Sequence, residues 1–61
     1  MPLVTIEAFA GRSVEQKRDL VKGITDVFVK AYKVDPEAVT IVFHDLQKQD
    51  LAKAGVLASD K

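Results

Sequence analysis

The chain has 61 residues, 48% of them hydrophobic, with nine basic residues balanced by nine acidic ones and no cysteine. The lack of cysteine excludes disulfides and thiolate metal sites, and a single histidine without an acidic cluster at ligand spacing argues against any bound metal. No basic stripe points to nucleic acid, no apolar run approaches the ~20 residues of a membrane span, and the start lacks the cationic and apolar regions of a signal peptide.

A cytoplasmic location and one small domain, residues 1–61, are the expectation. A chain of this length buries only roughly 60% of its unfolded surface and is marginal alone. With no disulfide or metal to reinforce it, association with further copies is the remaining source of stability.

The chain opens Met1-Pro2 and continues as a strand over residues 3–9, with Val4, Ile6 and Ala8 on one face and Leu3, Thr5, Glu7 and Phe9 on the other. Initiator methionine is commonly trimmed before a small residue, and trimming here turns Pro2 into a free secondary amine. An α-amino group titrates near ~8, so it can act as a neutral base close to pH 7 without extreme tuning. Retention of Met1 leaves Pro2 as an ordinary strand-edge proline. The expectation is that the fold holds this amine and Arg12 in a small apolar pocket.

Gly11 breaks the strand. Ser13-Val14-Glu15-Gln16 then forms a capping box, with Ser13 as N-cap and Gln16 reaching back. The helix is predicted from Val14 to Lys33, with Leu20, Val21, Ile24, Val27, Phe28 and Ala31 as one apolar stripe. Glu15, Arg18, Asp19, Lys22, Asp26 and Lys30 form a solvated face, Asp26 and Lys30 at pairing distance. Gly23 costs the helix about 1 kcal/mol relative to alanine and suits the close approach of another element.

Asp35-Pro36-Glu37-Ala38 reads as a single capped turn. Val39–His44 follows as a second strand, apolar on nearly both faces and so expected to be covered on both. Strand, long helix and strand make one β-α-β unit with parallel strands and a right-handed crossover. The fold class is therefore α/β (α+β), with Ala54-Gly55-Val56-Leu57-Ala58 closing the chain as a short hairpin. One helix covers one face of a two-stranded sheet, so the other face needs a partner subunit.

These residues together resemble the tautomerase superfamily, in particular its short-subunit 4-oxalocrotonate tautomerase (2-hydroxymuconate tautomerase) family. The resemblance rests on Met1-Pro2 before a strand, on Gly11-Arg12-Ser13-Val14-Glu15-Gln16-Lys17, and on the glycine-containing tail Ala54–Asp60. It implies a homo-oligomer, a hexamer built as a trimer of dimers, with sites shared between subunits. It implies an isomerase without cofactor, Pro2 acting as general base on a small unsaturated 2-oxo or 2-hydroxy acid and Arg12 holding a carboxylate. Enzymes of the best-known type carry an arginine where Thr40 stands and an aromatic residue where Leu51 stands, which places both at the substrate. A hydroxyl donates a hydrogen bond but no charge, so slower or altered specificity toward dicarboxylates is expected.

His44 shares strand-face parity with Thr40 and is a candidate replacement cation. Within the superfamily a second reading is water addition across an activated bond, for which Asp45 and Asp50 are acidic candidates. A third reading is a non-catalytic oligomeric subunit.

Overall fold

The computed structural model describes every residue from Met1 to Lys61. Alternation at the start produces β1, Leu3–Phe9, in which Val4 and Ile6 are half-buried and their neighbours exposed. The helix α1 runs Val14–Tyr32. Its capping box is complete: Ser13 Oγ accepts from the Gln16 backbone N–H at 3.1 Å, and Gln16 Oε1 accepts from the Ser13 N–H at 3.0 Å. Lys33 ends the helix in the left-handed region (φ 56°), its N–H donating to the Val29 carbonyl. Ser13→Ala removes one acceptor from the helix start and is expected to cost about 1 kcal/mol, read as a lower urea midpoint.

A single turn, Pro36–Ala38, leads into β2, Thr40–Leu46, which begins one residue later and ends two residues later than the pattern predicts. The strands pair in parallel, from Leu3 opposite Thr40 to Phe9 opposite Leu46. Val4, Ile6 and Ala8 thus share a face with Ile41, Phe43 and Asp45. The helix covers this face, since Lys17 lies over the Phe43 ring and pairs with Asp45. The other face carries Leu3, Thr5, Glu7 and Phe9 beside Thr40, Val42, His44 and Leu46, and no helix packs on it.

The tail forms a hairpin of β3, Ala52–Lys53, and β4, Val56–Leu57. Its two central residues, Ala54 (φ 53°) and Gly55 (φ 80°), are both left-handed, as a type I′ turn requires. Glycine adopts this freely, whereas alanine is strained by about 1–2 kcal/mol. Ala54→Asn is accordingly expected to raise stability by about 0.5–1 kcal/mol, read as a higher urea midpoint at an unchanged denaturant slope.

The helix stripe differs from its sequence pattern. The half-buried positions are Lys17, Val21, Ile24, Thr25, Phe28 and Val29, whereas Leu20, Val27 and Ala31 are exposed, Val27 by 65%. The stripe is wider than one sheet face can cover, and its outer flank forms a groove of about 520 Å³ along Leu20, Gly23, Ile24 and Val27. No side chain occupies the space a Gly23 Cβ would enter. Asp26 and Lys30 are not paired; the ion pairs are Lys17–Asp45 and Glu15–Arg18.

No residue is fully buried, and the accessible surface is 5008 Å². A folded monomer of this mass exposes about 3,900 Å². The radius of gyration is 14.9 Å, against about 10.5 Å for a compact chain of this length. β2 is thus covered on one face within the chain, not on both. No helix is long and apolar enough to cross a membrane.

Candidate active site

Parallel pairing decides where each candidate residue stands. Pro2 precedes β1 and is half-buried; its carbonyl accepts from the Thr40 N–H at 3.0 Å. Pro2 and Thr40 therefore lie together at the starting end of the sheet. Thr40 is exposed, on the face without a helix.

Arg12 stands at the opposite end, three residues past the last residue of β1. The seven residues of β1 span about 23 Å at 3.3 Å each. A single chain therefore does not bring Pro2 and Arg12 into one pocket, and the pocket expected around both is not intramolecular. An extended parallel strand cannot return on itself over that distance.

The loop carrying Arg12 is built by two devices. The Ala10 N–H donates to the Leu46 carbonyl at 2.8 Å, which extends the strand pairing by one bond. Gly11 then takes φ 118°, a conformation closed to residues with a Cβ, and turns the chain toward the Ser13 cap. Arg12 is exposed and takes part in no ion pair, with neither Glu7 nor any other carboxylate. It borders a groove of about 310 Å³ between the start of α1 and the sheet, lined also by Phe9, Leu20 and Phe43.

Leu51 lies at the Arg12 end. It lines a groove of about 250 Å³ with Phe9, Val56, Lys53 and Lys61, and the Ala58 N–H donates to its carbonyl at 2.8 Å. Phe9 is common to this groove and to the one at Arg12. His44 pairs in register with Glu7 in mid-sheet, on the same face as Thr40. The acidic candidates for water activation are engaged elsewhere. Asp45 accepts from Lys17 Nζ at 2.5 Å on the helix-covered face, and Asp50 accepts from the Gln47 N–H at 3.1 Å in its own turn.

Lys17 is the residue near the site that pattern reading passed over. It belongs to the Gly-Arg-Ser segment but looks like one more helical lysine. Its role becomes visible only when β2 is placed against α1. No group of three or more His, Cys, Asp or Glu side chains converges on a common point.

The chain can be set beside known proteins. The family model described as tautomerase enzyme matches residues 2–61. The "Probable tautomerase" of Listeria innocua is 40% identical over 60 residues, covering 98% of each chain. A crystal structure of a 4-oxalocrotonate tautomerase homologue superposes with a TM-score of 0.93 at 30% identity, covering 100% of this chain and 97% of that one. A 4-oxalocrotonate tautomerase isozyme from Methylibium petroleiphilum gives 0.87 at 34% identity over 97% and 92% of the two chains. The match of nearly the full length to the family model, together with these relatives and the shared β-α-β fold, shows that the chain belongs to the tautomerase family.

Proposed function

We propose that the protein is a cofactor-independent isomerase that moves a proton between oxygen and carbon of a small unsaturated 2-hydroxy or 2-oxo acid. The observation that carries this reading is the pair of functional ends on one sheet. One end offers Pro2, an amine once Met1 is removed; the other offers an unpaired arginine in an apolar groove.

Met1 is 89% exposed and so open to removal. The freed amine of Pro2 takes the proton of the substrate's 2-hydroxyl, and the electron pair collapses to a carbonyl. The conjugated carbon then takes the proton back from the ammonium. Atoms and electrons balance without a co-reactant. A base is most effective with its pKa near working pH, and an apolar surrounding lowers an amine toward that range by penalising the charged form. Arg12 binds the carboxylate through its planar fork. Thr40, hydrogen-bonded by its backbone to Pro2, adds a neutral donor beside the base.

Pro2 and Arg12 of one chain stand too far apart to share a substrate, so the site forms between copies, Pro2 of one facing Arg12, Phe9 and Leu51 of another. The excess surface, the bare sheet face and the groove across Gly23 supply the surfaces for a homo-oligomer, for which a trimer of dimers is the arrangement proposed. Val27→Glu places a charge in that groove and is expected to shift the protein to smaller species in light scattering, because an unpaired buried charge is costly.

The reading is tested by following ketonisation of 2-hydroxymuconate and of the enol of phenylpyruvate in ultraviolet light, with Met1-free protein. Turnover of either supports it. An assembled, Met1-free protein inert toward both contradicts it.

A further inference from the structure

We infer that Lys17 is a positioning residue for anion binding: by neutralising Asp45 it keeps Arg12 free for the substrate carboxylate. The inference rests on the reading of Arg12 given above. Arg12, Lys17 and Asp45 line the same groove, and Asp45 is its only carboxylate. Two cations thus compete for one internal anion. Asp45 Oδ2 accepts from Lys17 Nζ at 2.5 Å, while Arg12 has no partner.

The outcome of that competition is not set by the cations themselves. A guanidinium fork matches a carboxylate better than an ammonium does. What favours Lys17 is where it is held. Its ammonium sits 5.0 Å from the centre of the Phe43 ring, whose face attracts a cation, and its stem lies along the half-buried side of α1. Asp45 occupies the position next to Leu46, whose carbonyl anchors Ala10 two residues before Arg12. The carboxylate therefore stands beside the loop that carries Arg12. Without Lys17 it is left bare and close to the one unpaired cation of the groove.

Lys17→Met is expected to turn Arg12 onto Asp45, so that substrate must displace an internal carboxylate. KM then rises about two- to fivefold, a shift of the size exposed ion pairs produce, with kcat within about twofold of the parent. Adding Asp45→Asn to that chain removes the competitor and restores KM, and Asp45→Asn alone leaves KM at or below the parent value. An ion pair that merely tethers α1 to β2 gives the reverse: each single substitution raises KM alike, and the double variant shows no recovery. That result overturns the inference.

A crystal structure of the Lys17→Met protein supplies a readout that does not depend on turnover. Arg12 within hydrogen-bonding distance of Asp45 supports the inference, and Arg12 still unpaired contradicts it. A parent protein without turnover removes the functional reading of Arg12, and the positioning role then stands or falls on that structure.

Discussion

Pro2→Ala, in protein freed of Met1, is expected to assemble as the parent does and to lose about 10²–10⁴-fold in kcat, the range that a positioned general base contributes. Alanine at the same place still ends in an amine, a primary one, so the loss is not one of charge. The secondary amine of proline is rigid, its ring fixing the direction of the lone pair, whereas the amine of alanine rotates. Position matters because the base must reach the transferred proton within hydrogen-bonding distance. Assembly is preserved because the Pro2 carbonyl, not its ring, holds the Thr40 N–H. A variant that keeps the parent's turnover would remove Pro2 from the chemistry. Retained Met1 should mimic the loss, and intact mass beside activity checks this directly.

Arg12→Ala carries the second large effect, a fall in kcat/KM of about 10²–10³, in the range reported for truncating one partner of a desolvated charge pair. Arg12→Lys keeps the charge but loses the fork, and should fall between the two. The effect should be confined to substrates with a carboxylate. The methyl ester of the enol substrate should be turned over about equally by the parent and by Arg12→Ala, because neither then pairs a charge. Fold stability should hardly change, since Arg12 makes no ion pair in the chain and is exposed. A proportionate loss on the ester would assign Arg12 to loop structure rather than to binding.

Much of the fold was legible because its signals are local. The alternation of Leu3 to Phe9, the Ser13–Gln16 box and the β-branched run from Val39 each act over a few residues; the first two appear where the pattern places them, and β2 starts one residue later and ends two later. Long-range geometry was less legible. Leu20, Val27 and Ala31 fit the helical period as well as Val21 and Phe28 do, and periodicity alone does not say which flank meets the sheet. The same limit hid the Lys17–Asp45 pair, whose members lie 28 residues apart and meet only through the crossover. Asp26 and Lys30 had the better local spacing and stay apart, as a weak exposed pair can.

For the site, the sequence offers candidate residues but not their arrangement. Pro2 and Arg12 are candidates from the opening Met1-Pro2 and the Gly11–Lys17 segment, and Thr40 and Leu51 are candidates only through the family resemblance. That Thr40 sits beside Pro2, at the end of the sheet away from Arg12, follows from the parallel register, and Leu51 reaches Phe9 through the turn after β2. His44 shows what parity alone can do: it shares a face with Thr40 as predicted, yet its register partner is Glu7 in mid-sheet. A replacement cation for the Thr40 end is therefore not supplied by His44 of the same chain.

The claim on which the rest depends is that Pro2 and Arg12 act together only across two copies of the chain. Co-expression of Pro2→Ala chains with Arg12→Ala chains tests it most directly. Each variant alone is expected to be nearly inactive. Random assembly of equal amounts should restore about a quarter of the parent's sites, those that draw an intact Pro2 from one copy and an intact Arg12 from another. Activity that stays at the level of the separate variants, in oligomers shown by native mass spectrometry to contain both chains, would place the two residues in a site within one chain and contradict the account.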